Sequence, residues 1–177
     1  MKGGNFVIVP DKAITHAGKF HADDVFSAAF LKMLNPNIQI ERVGKVPDVY
    51  TGLVFDIGLG KYDHHQAKNE CRKNGVPYAS FGKLWREFAP LVFSPYIVKT
   101  IDKEIVQPID AADNGKGFNL LSVFISRLNP NWNEDEYEYP SFGTSYWFYP
   151  QIFRYVEELG IECWEIFSLL TSSVTSS

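Results

Sequence analysis

The sequence predicts an α/β domain with a mostly parallel sheet flanked by helices. Short apolar runs alternate with a segment of helical spacing through the N-terminal third, the order that builds strand–helix–strand units. The triplet Leu53-Val54-Phe55 has the unbroken apolarity of a strand buried on both faces. His16, Asp56 and His64 each fall just after a candidate strand, and open sheets of this kind place their ligands beyond the carboxyl ends of the strands.

Taken in order, Phe6–Val9 and Ala13–Thr15 read as short strands split by Pro10-Asp11-Lys12. From Ala22 to Leu34, Val25, Phe26, Ala29, Phe30, Met33 and Leu34 recur at helical spacing, and Asn35-Pro36-Asn37 stops the helix. Ile38, Ile40 and Val43 alternate like a strand. Leu53–Phe55 is the central strand, ended by Asp56-Ile57-Gly58, and Lys61–Asp63 reads as a further strand leading into His64. The rest is read as largely helical. Phe81–Phe88 carries Leu84, Trp85 and Phe88 on one side. Tyr96–Ile109 has Ile97, Ile101 and Ile105 four apart, with Pro108 expected to kink or end it. Asp110-Ala111-Ala112-Asp113 follows, closed by the turn pair Asn114-Gly115. Leu120–Leu128 is another expected helix. These spans suggest a metal-binding core over residues 1–128. Residues 129–177 read as an extension packed on it: a polar loop to Pro140, an aromatic stretch Phe142–Tyr149, one or two helices over Phe153–Leu170 and a frayed tail at 171–177.

The chain has 177 residues, of which 45% are hydrophobic and 15% aromatic, so core material is ample for a globular domain. A net charge of −4 argues against a broad basic face for duplex binding, but not against short nucleic acids held through a metal. Cys71 and Cys163 form neither a disulfide framework nor a CxxC site. The start reads as carrying no signal peptide, and no apolar run approaches a membrane span of roughly 18 residues. The expectation is a soluble, cytoplasmic protein, with homo-oligomer formation left open.

All four histidines lie in two runs, Thr15–Asp24 and Tyr62–Gln66, each with carboxylates beside them. Imidazole and carboxylate together suit divalent metals, which turn water into a nucleophile near neutral pH. Asp23 and Asp24 occupy the first turn of the first helix, where the macrodipole favours an ionised carboxylate. Asp23 is taken as a ligand and Asp24 as a solvated helix-start acid. His16 and His21 flank the preceding loop, Asp56 comes from a central strand with two oxygens able to bridge two ions, and His64 adds a nitrogen. Asp113 is the sixth candidate. Six mixed ligands exceed one tetrahedral zinc and suit two divalent ions, Mn²⁺ ahead of Zn²⁺ or Mg²⁺. Asp63 is expected to fix a neighbouring histidine's tautomer, and His65 to donate to a phosphate oxygen or the leaving group. Lys19, Arg72, Lys73, Lys83 and Arg127 are read first as exposed charges. The aromatic stretch is read as core or interface before base-stacking platform.

These motifs resemble a known family. Asp63-His64-His65 is the signature triplet of the DHH phosphoesterase superfamily, and the whole pattern is similar to the Myg (melanocyte-proliferating-gene-like) metal-dependent hydrolases. The matching segments are Thr15–Asp24, Asp56-Ile57-Gly58, Tyr62–Gln66, Asp110–Gly115 and Arg127–Asn133. The resemblance implies a DHH-type α/β fold and a two-metal, usually manganese, site built from His16, His21, Asp23, Asp56, His64 and Asp113. It favours Asp113 over Asp110, and it gives Arg127 the best claim among the cations to a substrate phosphate. It implies phosphodiester hydrolysis of nucleotides or short single-stranded RNA, with 3′-to-5′ exonuclease activity described for members. Members run longer, with a C-terminal domain that closes over substrate, and the last stretch here carries no Gly-Gly-Gly-His-type motif. The residues themselves leave open a small-molecule phosphatase or pyrophosphatase on the same site, or a non-catalytic metal-stabilised domain.

Overall fold

A computed structural model describes residues 9–66, 70–127 and 129. The chain runs β1 (Lys12–His16), α1 (Ala22–Leu34), β2 (Gln39–Val43), β3 (Leu53–Val54), α2 (Ser80–Val92), α3 (Pro95–Ile101), a π-helical turn (Asp102–Val106), α4 (Gln107–Asp113) and α5 (Leu120–Arg127). The strands form a parallel sheet in the order β2-β1-β3, with Ala13 opposite both Ile40 and Leu53. The fold class expected from the sequence is therefore the one observed.

The strand order decides where a site can form. The chain leaves β1 for β2 on one side and returns to β3 on the other, so the loops after β1 and β3 diverge and leave a crevice at their carboxyl ends. His16 is the last residue of β1, and Asp56 lies just beyond β3. The expected strand at Lys61–Asp63 reduces to a single parallel bridge, Phe55 to Tyr62. The expected strand at Phe6–Val9 falls on residues 6–8, outside the described residues; Val9 itself is buried without strand pairing.

Helix α1 has the bounds the apolar spacing predicts. Its Ala28 and Leu31 are completely buried, and Asn35 closes it by donating its backbone N–H to the Leu31 carbonyl. Helix α2 is longer than expected, running through Pro90 and stopping at Val92; a proline in the last turn removes one donor but ends the helix soon after. The single helix expected over Tyr96–Ile109 is instead two α-helices joined by the π-helical turn, in which the Gln107 N–H reaches back to the Asp102 carbonyl. Pro108 is the physical reason. Its ring would strike the carbonyl one turn back, and widening the preceding turn relieves the clash without breaking the rod. As a result Asp110 and Asp113 belong to α4 rather than following it.

The core lies where α1 and α2 cover the sheet. Ile14, Leu31, Ile38, Phe55 and Leu84 are fully buried, and Phe30, Phe81 and Trp85 pack ring against ring between the two helices. No helix among the described residues is long and apolar enough to cross a membrane. The expectations for residues 130–177, with the aromatic stretch and closing helices, lie outside the described residues, as does Leu128.

Candidate metal centre

Side chains from four separate segments converge beyond β1 and β3. His16 Nε2 lies 3.2 Å from both Asp24 Oδ2 and Asp56 Oδ2. His64 spans the other side, with Nδ1 3.3 Å from Asp56 Oδ1 and Nε2 2.9 Å from Asp113 Oδ2. Two groups of possible ligand atoms result, His16-Asp24-Asp56 and Asp23-Asp56-His64-Asp113, each within 4.8 Å of one another. Asp56 belongs to both. A third overlapping group joins Asp56 and His64 to Asp63 and His65.

The backbone presents Asp56 in a special conformation. Its φ is +56°, the left-handed region that aspartate tolerates better than most residues. Such strain collects at functional sites where the surroundings hold it. Here the Asp56 N–H donates to the Tyr62 carbonyl and Ser80 Oγ–H donates to Asp56 Oδ1.

Asp23 is anchored differently. It is fully buried and accepts the backbone N–H groups of Ser80 (3.0 Å) and Phe81 (2.7 Å), so the positive end of α2 supports its charge. Gly82, the next residue of α2, donates to Asp110 Oδ1. Asp110 is also ion-paired to Arg72 Nη1 at 2.7 Å and belongs to none of the clusters. Burial outweighs the Arg72 contact and raises its carboxyl to about 6. Asp113, one turn further on, faces His64.

Asp24 is the main departure from the sequence reading. It is not solvated but completely buried, because β1 and the loop after it fold over the helix start. Its Oδ1 accepts the His21 N–H at 3.0 Å, which aims Oδ2 at His16. His21 stays at the margin: its side chain is 54% exposed, its ring lies 5.6 Å from that of His16, and Nδ1 is 3.9 Å from Asp113. Arg72 and Lys83 also depart from their reading as exposed charges. Arg72 is 7% exposed and tied to Asp102 and Asp110, while Lys83 is buried and donates to the Asp63 carbonyl. Lys19, Lys73 and Arg127 are exposed, the last on the final turn of α5. Arg42 and Ser80 escaped the sequence reading, since neither lies near a histidine run.

The electrostatics match an ion-binding set. For His16, burial favours the neutral ring, yet the Asp24 and Asp56 contacts outweigh it and raise the imidazole to about 10. Asp113 and Asp56 do the same for His64, also to about 10. Burial would raise Asp56, but its two histidines hold it well below the usual carboxylate range. Burial and neighbouring carboxylates push Asp23 strongly up, and burial raises Asp24 despite His16. Asp24 Oδ2, Asp56 Oδ2 and His64 Nδ1 are buried without a hydrogen-bond partner among the described residues, although each lies close to an opposing side-chain atom. Close approach without alignment, at atoms that are all good ligands, fits divalent cations better than a closed hydrogen-bond network.

The Asp63-His64-His65 run is held from beneath. Asp63 Oδ1 lies 2.7 Å from His65 Nδ1 and accepts the His65 backbone N–H, while Oδ2 accepts the Leu59 N–H. Those bonds, with that to His65, outweigh burial and keep the Asp63 carboxylate low. Gln66 donates to the Leu59 and Gly60 carbonyls and ties the run to the loop after Asp56. His65, 57% exposed, lies against His64 with ring centroids 4.1 Å apart and the planes tilted by 33°.

Fold and site together define an α/β domain with a buried carboxylate–imidazole centre able to hold metal ions at its sheet edge. The chain belongs to the MYG1 exonuclease-type family, described as uncharacterised protein family UPF0160, whose pattern matches residues 12–174. It is similar to proteins named MYG1 exonuclease from Rattus norvegicus (27% identity over 173 residues, covering 75% of this chain and 45% of the relative) and Mus musculus (28% over 171 residues, 73% and 45%). A MYG1 protein from Dictyostelium discoideum is 21% identical over 157 residues, covering 69% and 47%. The chain thus spans less than half the length of these curated relatives. No solved structure gives a significant match.

Proposed function

We propose that this chain is a metal-dependent hydrolase of the DHH phosphoesterase type, cleaving phosphodiester bonds in nucleotides or short RNA through a two-metal site. The observation that carries the reading is Asp56, shared by all three overlapping groups of ligand-type atoms at one crevice. The exonuclease names of the relatives support a nucleic-acid substrate. His16, Asp24 and Asp56 would hold one ion, and Asp23, Asp56, His64 and Asp113 a second, with Mn²⁺ favoured by the mixed oxygen and nitrogen donors. When bound, such ions supply a nucleophile at neutral pH and offset charge on the phosphoryl oxygens.

The protein's own contribution begins with orientation. The start of α2 fixes both oxygens of Asp23, so the carboxylate does not reorganise as charge develops. Asp63 beside Nδ1 orients the His65 ring, an exposed imidazole able to exchange a proton with a leaving oxygen. His21, partly exposed beside Asp113, is a second group able to contact a substrate or an ion. Arg127 keeps its proposed phosphate role only as an exposed charge.

The test is hydrolysis of bis-p-nitrophenyl phosphate, a short end-labelled RNA and pyrophosphate by the full chain with added Mn²⁺. The expected result is cleavage of the two diesters, lost in His64→Ala and on EDTA treatment while the circular dichroism spectrum persists. Undiminished cleavage by His64→Ala would refute the reading, and cleavage of pyrophosphate alone would move the substrate to small phosphate esters.

A further inference from the structure

Arg127 is the cation that the family resemblance favours, but the structure points to the residue two places on. Asn129 Oδ1 accepts the Phe20 backbone N–H at 2.6 Å, and Asn129 Nδ2 donates to the Phe20 carbonyl at 2.8 Å. This is a two-pronged grip on one residue, through the peptide groups on either side of it, made by a side chain 109 residues away. The same Nδ2 reaches the Ser126 and Ile125 carbonyls at 3.2 and 3.4 Å, so the grip is fastened to the end of α5.

Arg42 on β2 closes on the same loop from the other side. Its Nε donates to the His16 carbonyl at 3.2 Å and its Nη2 to the Gly18 carbonyl at 2.7 Å. Its guanidinium carbon lies over the Phe20 ring, 3.7 Å from the centroid, while its nitrogens hold two carbonyls at once, a combination that lysine does not reproduce. Gly18 has φ +105°, which lets the loop turn back under this double hold.

The consequence passes along the backbone. Phe20 precedes His21, whose N–H is the partner of Asp24 Oδ1. That bond turns Asp24 Oδ2 toward His16 Nε2. His16 in turn has its own carbonyl held by Arg42. We infer that Asn129 and Arg42 are positioning residues that clamp the β1–α1 loop and thereby aim His16 and Asp24 at one ion. This rests on the metal reading above and adds which residues make the His16-side site tight.

The test compares Mn²⁺ binding by the full chain in wild-type, Asn129→Leu and Val106→Ala forms, titrating free Mn²⁺ by electron paramagnetic resonance alongside thermal melts. Val106, fully buried in the π-helical turn, serves as a matched loss of stability away from the loop. The expected result is that Asn129→Leu weakens one of two sites by about 10- to 100-fold, the usual cost of losing a ligand's supporting contact. The other site and both sites of Val106→Ala should keep wild-type affinity. Asn129→Asp, which keeps the acceptor and loses the donors, carries the test if the leucine variant does not fold. Wild-type protein that binds two ions, with an Asn129→Leu form binding both as tightly, would overturn this inference alone. An equal loss in Val106→Ala, or failure of both Asn129 variants to fold, would assign Asn129 a purely structural role and overturn it too. Wild-type protein that takes up no Mn²⁺ would overturn the inference together with the reading beneath it.

Discussion

Replacing Asp56 by asparagine changes one atom type at the point where the two ligand groups meet. Asparagine accepts the left-handed φ of +56° as readily as aspartate, and its amide oxygen can still take the Ser80 hydroxyl. The variant is therefore expected to fold without metal. A ligand present at about 100 times its Kd stabilises the state it binds by about 2.7 kcal/mol. For a chain of this length, 1 kcal/mol moves Tm by about 2–4 °C, so each occupied site should raise Tm by about 5–11 °C and both by roughly twice that. Because Asp56 serves both groups, Asp56→Asn should lose the whole Mn²⁺-dependent shift. Asp24→Asn and Asp113→Asn each touch one group and should keep about half. The assay is differential scanning fluorimetry over a Mn²⁺ series with an EDTA baseline. An Asp56→Asn form that keeps most of the shift, or an Asp24→Asn form that loses all of it, would refute two sites joined at Asp56.

Three further outcomes follow from the same geometry. Without metal, His16 and His64 titrate near 10 in the folded state and near 6.5 unfolded; their stabilisation is complete below about pH 6.5 and is lost as pH rises through about 10. The urea midpoint of EDTA-treated protein should accordingly fall between pH 6.5 and 10, and Mn²⁺ uptake at pH 7 should release protons, measurable by calorimetry in buffers of different ionisation enthalpy; a flat midpoint and buffer-independent heats would contradict it. Gly82→Ala places a methyl group against the Asp110 carboxylate and Arg72 and should cost about 1–3 kcal/mol in urea unfolding, whereas an unchanged midpoint would show that α2 can shift there freely. Arg72→Met leaves Asp110 buried without its cation and should cost about 3–5 kcal/mol, in contrast to Arg127→Ala, expected within about 0.5 kcal/mol at its exposed position; equal melts for the two would be incompatible with a buried pair.

Local signals were readable where a single segment contains its own cause. The first helix starts and stops where the apolar spacing and Asn35-Pro36-Asn37 place it. Asp63 and His65 are two residues apart, so their contact needs no tertiary partner. The sequence predicts that Pro108 disturbs the helix but not in which form, because a widened turn and a broken helix answer the same clash.

By itself, the sequence determined the strand–helix alternation, the parallel sheet and the stock of imidazoles and carboxylates near its edge. It takes Asp24 as solvated, wrongly, and favours Asp113 over Asp110 only through a family resemblance, because within each pair the residues are chemically identical and share one helix. Only the tertiary structure separates them. Each carboxylate takes its character from atoms remote in the chain: the start of α2 for Asp23, the His16 imidazole for Asp24, Arg72 for Asp110 and His64 for Asp113. Burial makes those partners decisive, since a charge removed from water depends on the few groups that replace it.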